Sequence, residues 1–333
     1  MQLPSVSIII VGYNSKPHFD SCFSSISRIG YSKTKYEVIL ADNNSKDGSV
    51  EYVKEKFKWV RILPLKENYG VAIAVNRAAK IAKGKYIVIL NPDTEVEKKW
   101  LVELVKVMES DRTIGACGSK LLYYDERDKI NTIGGFWSVL GFSGSLGEGD
   151  NKIKHTKMKE VFFPTGSSLM VRKDLFLSVG GYDDDYFMYV EEPDLSWRLW
   201  NMGYRIVSVP SSIAYHKVGA SVKRGDGGFR SMVYYHTTKN RLATIVKNAT
   251  FLNVAWMLPT SILAHIFQSL VFLARGRLDA SWAVLKGILW IAPNFGKLVE
   301  KRSRLVHNGN TSKLMIGVAD SIKIFFWKFK KHF

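Results

Sequence analysis

Three carboxylates and one histidine in the chain have the types and spacing that metal binding and proton transfer require. Asp93 follows an apolar stretch in a tight Asn-Pro turn, and a hard oxygen ligand there suits Mg²⁺ or Mn²⁺ beside a substrate diphosphate. Glu191 and Glu192 are adjacent, and crowded carboxylates raise one another's pKa, which suits a general base. His216 follows a later apolar segment, although a lone histidine is more often structural than a ligand.

Helix capping is the alternative interpretation of the acidic cluster, which Asp194 completes. Acidic residues are favoured at a helix N-terminus, and Asp194 can pair with Arg198 one turn later. This interpretation accounts for Asp194 better than for Glu191 and Glu192, so the two glutamates stay candidates for a base.

Several common catalytic motifs are missing from the sequence. No Gly-x-Gly-x-x-Gly follows the first apolar run and no glycine-rich loop ends in Gly-Lys-Ser/Thr, which argues against a dinucleotide oxidoreductase and a P-loop enzyme. No Gly-x-Ser-x-Gly elbow and no paired-histidine zinc motif occurs either. Serine hydrolases and zinc peptidases are therefore disfavoured.

The elements that position these residues alternate between two periods over the first third of the chain. Short β-branched runs typical of buried parallel strands cover residues 6–11, 38–41, 60–63, 86–90 and 114–117. Helix-like stretches lie between them, at residues 16–28, 49–57, 71–83 and 98–110. This pattern predicts an α/β fold with a doubly wound, mostly parallel sheet.

Polar residues follow four of the predicted strands. They are Tyr13 and Asn14, then Asp42, then Asn68, and then Asn91 and Asp93. Each loop alone is a good turn or helix-cap sequence. Because ligands of such sheets bind at the carboxyl ends of the strands, four polar loops at one edge indicate a polar binding site.

The segment from residue 124 to 160 is rich in glycine, with Phe136, Trp137 and Phe142 between the glycines. We expect a long mobile loop here, and a lid or acceptor-binding flap fits it as well as an ordinary flexible excursion does. Further strands are predicted within residues 162–172 and at 206–209, with a helix at residues 195–201.

Many separate segments match one known family in the same order. They read SIIIVGYN, ADNNSKDGS, NYGVAIAVN, VILNPDTE, PTGSSLMVRKDLF, VGGYDDDYFMYVEEPDLSWRL, GYRI and YHKVGAS. Residues 5–222 thereby resemble the family 2 glycosyltransferases, enzymes of the GT-A fold that use nucleotide sugars. The resemblance is greatest to rhamnosyltransferase-like members that build cell-surface polysaccharides in bacteria and archaea.

The resemblance implies roles for residues that bind the donor. Tyr13 and Asp42 match the positions that stack on and hydrogen-bond the nucleotide base of a UDP-, dTDP- or GDP-sugar, and Asn14, Asn68 and Asn91 are expected beside them. Asp93 matches the last aspartate of the family's Asp-x-Asp metal motif, whose first position here is Asn91. His216 matches a histidine that completes the metal or diphosphate site in some members.

The resemblance also implies an inverting reaction that depends on Mn²⁺ or Mg²⁺. Glu192 stands where the family's catalytic base normally lies, and Glu191 is the second candidate. The base would remove a proton from an acceptor hydroxyl on a lipid-linked or surface glycan while the nucleotide leaves in line.

The net charge of +18 lies mostly in the last third of the chain. Residues 1–222, the predicted glycosyltransferase domain, carry a net charge of +4, and residues 223–333 carry +14 with four acidic residues. A basic region of this kind meets nucleic acid, anionic lipid or solvent.

Two segments of the basic region favour a membrane. Residues 248–274 hold no charged side chain and are long enough to cross a bilayer, or to lie on one, or to pack on the protein. Near the C-terminus an apolar stripe predicts a basic amphipathic helix, formed by Leu314, Val318, Ile322, Phe325, Phe326 and Phe329, with Trp327 as an aromatic anchor and Lys323, Lys330 and Lys331 off the stripe.

We therefore expect a helical, membrane-associating extension, which places the enzyme at the cytoplasmic face of the cell membrane, peripheral or inserted through residues 248–274. In the alternative hypothesis, the basic region binds nucleic acid or a protein partner and the first domain is a nucleotide-sugar-binding scaffold. Nucleic acid is disfavoured because the cations alternate with aliphatic and aromatic residues.

Overall fold

The protein was analysed as a computed structural model that describes residues 3–218, 227–307, 311, 314–321 and 323. The chain divides into two units. The first unit consists of Met1–Gly135, Ser145–Phe187 and Tyr204–Ser221, and the second of Phe136–Gly144, Met188–Gly203 and Val222–Phe333. The sequence predicts one boundary, after residue 222, whereas two segments before that residue also belong to the second unit.

The first unit is built on a ten-stranded sheet. Its strands are β1 (Val6–Gly12), β2 (Tyr36–Asp42), β3 (Val60–Pro64), β4 (Tyr86–Leu90), β5 (Thr94–Val96), β6 (Ile114–Tyr123), β7 (Ile130–Thr132), β10 (Lys159–Glu160), β11 (Ser168–Arg172) and β12 (Arg205–His216). Two further strands, β8 (Gly135–Trp137) and β9 (Ser143–Ser145), form a separate hairpin. Its helices are α1 (Lys16–Ser27), α2 (Ser49–Lys56), α3 (Gly70–Ile81), α4 (Trp100–Ser110) and α5 (Lys173–Ser178).

The predicted doubly wound pattern is confirmed for the first four strands, which pair in parallel in the order β4-β1-β2-β3. Ile8, Ile9 and Ile10 of β1 are completely buried, as expected for a strand covered on both faces. The remaining order is β10-β12-β6-β11-β4, so β11 lies antiparallel between β4 and β6. The sequence does not predict this insertion.

A chain of buried hydroxyl groups ties α4 to three strands. The indole N–H of Trp100 donates to Ser168 Oγ at 2.8 Å, Ser168 and Ser119 share a hydrogen bond of 2.7 Å, and Ser119 and Ser212 share one of 2.8 Å. Ser212 donates to the backbone oxygen of Trp100 at 2.9 Å. Every hydroxyl proton therefore has an acceptor if the donors run from Ser168 to Ser119 to Ser212.

The glycine-rich segment at residues 124–160 differs from the mobile loop that its composition predicts. It contains β7, β8, β9 and β10, and the side chains of Trp137 and Phe142 are buried. The indole of Trp137 packs on that of Trp197, with ring centroids 5.6 Å apart. The prediction was wrong because these aromatic rings bury their apolar surface in the protein instead of facing solvent.

The second unit is helical. It contains α6 (Glu191–Asn201), α7 (Gly227–Asn248), α8 (Phe251–Ala274), α9 (Leu278–Leu289) and α10 (Ile291–Ser303). The hydroxyl of Thr250 accepts a hydrogen bond from the backbone N–H of Asn253 and so caps the start of α8. In the part of the chain that the structure describes, α8 is the helix that is long and apolar enough to cross a membrane.

The predicted amphipathic helix near the C-terminus falls mostly outside the described residues. Its Ile322, Phe325, Phe326, Trp327, Phe329, Lys330 and Lys331 are not described. Val318 at its start is helical and half exposed.

Candidate active site

The loops that follow β1 and β2 are held together by side chain–backbone hydrogen bonds. Asn14 has a left-handed backbone, with φ of 50°, and its N–H donates to Ser45 Oγ at 2.9 Å. The side-chain oxygen of Asn14 accepts from the backbone of Lys46 at 2.8 Å. Beside this junction the ring of Tyr13 is 50% exposed. The loops thus present one free aromatic face at the carboxyl end of the sheet.

Asp42 ends β2 and is 2% exposed. Its two carboxylate oxygens accept from the hydroxyl and the backbone N–H of Ser45, at 2.5 and 3.0 Å. Each carboxylate oxygen has a second lone pair, so Asp42 can still accept from a ligand while its orientation is fixed by Ser45.

The turn before α3 needs glycine. Gly70 has φ of +80°, and a Cβ there would lie 2.1 Å from the backbone oxygen of Phe187. The side-chain oxygen of Asn68 accepts from the Gly70 N–H at 3.0 Å, and the Asn43 amide donates to the Gly70 oxygen at 3.1 Å. Asn68 is thereby fixed as a turn residue at the same sheet edge as Asp42.

Asp93 and His216 lie side by side. The Asp93 carboxylate is nearly buried, and its Oδ1 has no hydrogen-bond partner. This atom is 3.4 Å from Nε2 of His216. Buried carboxylate oxygens are normally paired, so this oxygen marks a place where a cation or a donor is expected.

The hydrogen bonds of His216 favour one tautomer. Its Nδ1 lies 3.2 Å from Oδ1 of Asn131, and its Nε2 lies 3.3 Å from Ser167 Oγ. If Nδ1 carries the proton of the hydrogen bond to Asn131, Nε2 is unprotonated, and its single lone pair can either accept from the Ser167 hydroxyl or bind a metal, as a metal-ligating histidine requires. Asn91 joins the cluster by donating to Ser167 Oγ at 3.0 Å.

Two basic side chains lie near Asp93. The Lys217 N–H donates to the Asp93 backbone oxygen at 3.0 Å, and the Lys217 ammonium lies 4.2 Å from the ring centroid of Tyr124. Burial lowers the pKa of His18, the negative charge of Asp93 raises it, and the positive charge of Lys217 lowers it. Within the described residues no three His, Cys, Asp or Glu side chains gather into a metal site.

The two candidate bases belong to the second unit, at the start of α6. Glu191 is 3% exposed, and its Oε1 has no hydrogen-bond partner. Burial, followed by the charge of Glu192, raises the pKa of Glu191 well above its usual value. Glu192 is half-buried. The two glutamates therefore have unlike surroundings, since Glu191 is buried and Glu192 is partly open to solvent.

The residues before them have a strained backbone. Tyr189 and Val190 have φ of 70° and 73°, and a β-branched residue in the left-handed region costs about 1–3 kcal/mol. The amide of Asn240, on α7, donates to the backbone oxygens of Met188 and Tyr189 at 3.1 and 2.7 Å. Asn240 thereby holds the turn that leads into Glu191.

The next acid, Asp194, is completely buried and fully paired. One of its oxygens accepts from Nε and Nη2 of Arg198 at 3.1 and 2.8 Å, and the other accepts from Lys247 and Asn248 at 2.8 Å each. Asp194 is a structural acid, as the pairing with Arg198 predicted.

The sequence-predicted residues thus form three groups. The first group lies on adjoining loops of the first unit and consists of Tyr13, Asn14, Asp42 and Asn68. The second is a cluster in the same unit, formed by Asn91, Asp93 and His216. The third lies in the second unit and consists of Glu191 and Glu192. Sequence reasoning missed Asn131, Ser167, Lys217 and Asn240. Ser167 and Lys217 had a signal, because they lie in the matching segments PTGSSLMVRKDLF and YHKVGAS.

The family model described as Glycosyl transferase family 2 matches residues 7–180, more than half of the chain. The chain belongs to this family. It is therefore a glycosyltransferase, as the ordered motifs implied.

Two relatives support the rhamnosyltransferase-like type. The N-acetylglucosaminyl-diphospho-decaprenol L-rhamnosyltransferase of Mycobacterium tuberculosis is 28% identical over 239 residues, which cover 65% of this chain and 77% of the relative. The rhamnosyltransferase WbbL of Escherichia coli is 29% identical over 224 residues, which cover 63% of this chain and 83% of WbbL.

Solved structures show the GT-A fold. The mannosyltransferase PcManGT from Pyrobaculum calidifontis, in complex with GDP-Man and Mn2+, aligns with a TM-score of 0.55 at 19% identity, covering 91% of this chain and 86% of that one. S. aureus TarS 1-349 in complex with UDP aligns with a TM-score of 0.58 at 15% identity, covering 92% and 89%. The predicted fold is confirmed.

The strained turn before α6 gives a test of the glycosyltransferase. Asn240→Leu removes both hydrogen bonds to the carbonyls of Met188 and Tyr189, so the turn should relax and displace Glu191 and Glu192. Because a displacement of about 1 Å can cost about 100-fold in rate, kcat should fall by about that factor with little change in the KM of the sugar donor.

The matched control is Asn294→Leu, because the Asn294 amide donates to the oxygen of Trp290, the N-cap residue of its own helix, far from the acidic turn in sequence. Thermal unfolding of both variants verifies that they are folded. An Asn240→Leu enzyme that is folded and turns over at the normal rate would show that the turn needs no support from α7.

Proposed function

We propose that the enzyme transfers a sugar from a nucleotide-sugar donor to a hydroxyl of a lipid-linked or surface-glycan acceptor, with inversion at the anomeric carbon. The observation that carries the proposal is the unpaired Oδ1 of Asp93 beside Nε2 of His216. The relatives named above as rhamnosyltransferases, one of them acting on a diphospho-decaprenol compound, support this class of donor and acceptor.

The donor nucleotide, from a UDP-, dTDP- or GDP-sugar, would bind at the loops after β1 and β2. The exposed Tyr13 ring offers a stacking surface for a base, and Asp42 offers the remaining lone pairs of its fixed carboxylate. Asn14, Asn68 and Asn91 occupy adjoining turns, where they keep these loops in place. The amide of Asn91 also holds Ser167 next to His216.

Asp93 and His216 fit a divalent cation, Mn²⁺ or Mg²⁺, since they offer a carboxylate oxygen and an imidazole nitrogen on one side. A cation bound there neutralises the negative charge that develops on the leaving diphosphate. The Asp-x-Asp position occupied by Asn91 contributes no charge. The ammonium of Lys217, the residue after His216, lies against Ser21 Oγ and the ring of Tyr124 and adds a positive charge to this region.

Glu192 is the proposed base, with Glu191 as the alternative. A base must lose its proton to solvent and accept one from the acceptor hydroxyl, and partly open Glu192 can do both. Buried Glu191, whose pKa is raised, is more readily kept as the neutral acid beside it.

Substitution of the two glutamates separates their roles. Glu192→Gln keeps the size of the side chain but cannot accept the proton, so transfer should fall by about 10²–10⁴-fold while binding of the nucleoside diphosphate stays normal. Transfer by Glu191→Gln, the matched control, should fall much less, because burial and the charge of Glu192 disfavour the ionised form of Glu191 that a base needs. Release of nucleoside diphosphate from a panel of nucleotide sugars measures both. A larger loss of transfer in Glu191→Gln than in Glu192→Gln would make Glu191 the base.

Substitution of Asp93 tests the metal site. Asp93→Asn keeps the shape but removes the charge, so Mn²⁺-dependent binding of nucleoside diphosphate should weaken at least tenfold, corresponding to the loss of about 1.4 kcal/mol. Calorimetric titration of UDP, dTDP and GDP with and without Mn²⁺ measures the effect. Asp111→Asn is the control, since Asp111 is a surface acid that pairs with Arg205. Equal nucleotide binding with and without Mn²⁺ in the unsubstituted enzyme would refute metal dependence.

We also propose that α8 contacts an anionic membrane at the cytoplasmic face. Its buried side carries Ser261, His265 and Ser269, whereas Leu263 and Leu270 on the other side are 64% and 56% exposed. This is the reverse of a helix in water, which turns its polar side outward. Large apolar patches of this kind mark membrane or protein contacts, and the net charge of +18 favours anionic lipid.

Vesicle binding tests this surface. The enzyme should sediment with anionic phospholipid vesicles, and a double variant Leu263→Glu and Leu270→Glu should bind at least tenfold more weakly because two charges enter the apolar face. Ile153→Glu, at a 76% exposed position of the first unit, should leave binding unchanged. Binding to DNA but not to anionic vesicles would support the nucleic-acid alternative and exclude a membrane surface.

A further inference from the structure

Arg241, on α7, is a cation without a counter-ion. Its side chain is half-buried, and its Nε is shielded from solvent with no hydrogen-bond partner. The guanidinium lies 5.3 Å from the ring centroid of Phe142, and no carboxylate of the described residues pairs with it. Burial lowers the pKa of Arg241 to about 10, so the group keeps its charge at neutral pH.

The neighbouring buried cations of the second unit are paired differently. Lys247 and Arg198 share Asp194, and Arg302 donates to the backbone oxygens of Val246 and Ala249. A partly desolvated charge is costly unless something compensates it. Arg241 is therefore placed to receive an anion that the described part of the chain does not supply.

Two further polar groups around Phe142 lack partners. His265 is completely buried and stacks on Phe142, with ring centroids 5.0 Å apart. Its Nδ1 donates to the Ser261 backbone oxygen at 2.7 Å, so the unprotonated Nε2 carries a lone pair. This Nε2 is buried and has no hydrogen-bond partner. The hydroxyl of Ser261, also completely buried, has none either. Arg241 is near enough for its charge to lower the pKa of His265.

We propose that Arg241, Ser261 and His265 form a subsite for the phosphate group of a lipid-linked acceptor. The guanidinium and the Ser261 hydroxyl donate to anionic phosphate oxygens, the guanidinium as a two-pronged donor. The lone pair of His265 Nε2 accepts from a hydroxyl of the ligand. This inference rests on the proposed function, because it assigns a place to the acceptor of that reaction.

The position of the cluster fits such an amphiphile. Ser261 and His265 lie on the inner side of α8, whose outer side is exposed and apolar. One side of the helix can therefore contact a lipid chain, while the other side contributes groups that bind the anionic head. Arg241 directly follows Asn240, the residue that holds the turn before Glu191 and Glu192.

The test measures binding of farnesyl diphosphate, farnesol and inorganic pyrophosphate to the full chain in detergent micelles by calorimetry. Arg241→Gln should weaken farnesyl diphosphate binding at least tenfold and leave farnesol binding unchanged. Arg304→Gln, the same substitution at an exposed arginine that pairs with Glu300, should change neither. Ser261→Ala should weaken farnesyl diphosphate binding by a smaller factor.

Two outcomes would overturn the subsite. In the first, Arg241→Gln binds farnesyl diphosphate as tightly as the unsubstituted enzyme. In the second, pyrophosphate binds as tightly as farnesyl diphosphate and depends equally on Arg241, which would make the site one for a free anion. Thermal unfolding provides an independent readout: a purely structural arginine would lower the midpoint when replaced, whereas loss of an unpaired charge should leave it equal or higher.

Nucleotide binding separates this inference from the proposed function. UDP, dTDP and GDP are titrated with Mn²⁺ into the same variants, and Arg241→Gln should bind them normally. If the unsubstituted enzyme bound no nucleotide but kept Arg241-dependent binding of farnesyl diphosphate, the proposed function would fail and the subsite would stand. If nucleotide bound normally and farnesyl diphosphate binding did not depend on Arg241, the subsite would be refuted and the proposed function would stand.

Discussion

The acidic segment of the second unit depends on the pairing of one buried carboxylate. Asp194 is removed from water, which is tolerable only because Arg198, Lys247 and Asn248 together supply charge and donors to both of its oxygens. Two of these three partners come from α7. Together with Asn240 they fix the start of α6 against α7, and so they also fix Glu191 and Glu192. The last third of the chain therefore completes the acidic segment as well as carrying most of the charge.

Unpaired buried groups mark both proposed binding places of this enzyme. Nearly all buried polar groups in a folded protein find a partner, as the serine chain beneath the sheet and the carboxylate of Asp194 do here. Asp93 Oδ1 and Arg241 Nε are among the exceptions in the described part of the chain. One is an acceptor suited to a cation, and the other is a donor suited to an anion. Their opposite signs fit a reaction in which a metal and a charged lipid are handled separately.

The sequence predicted the parallel core of the fold because each of its strands is a local apolar run that can be recognised without knowing its neighbours. The insertion of β11 between β4 and β6 is not local, since it pairs residues far apart in the chain. The glycine-rich segment was misjudged for a related reason. Glycine content signals flexibility, but the burial of Trp137 depends on Trp197, which lies on another element.

The same difference between local patterns and contacts of distant residues applies to the candidate site. Asp42, Asp93 and Glu192 could be predicted because they occur in ordered motifs directly after strands or at a helix start. Asn131 and Asn240 could not, because an asparagine on a short strand or on a helix has no distinguishing pattern until its partner is known. Their roles come from hydrogen bonds that join distant parts of the chain.

The hydrogen bond from Asn240 to the turn at Tyr189 spans 51 residues of sequence, and this separation has a consequence for the order of synthesis. A nascent chain that has emerged only as far as α6 lacks every α7 group that holds its acids in position. Those groups are made just before α8, the segment with an apolar outer side. The ribosome therefore completes the support of the acidic turn immediately before it makes the helix proposed to contact lipid.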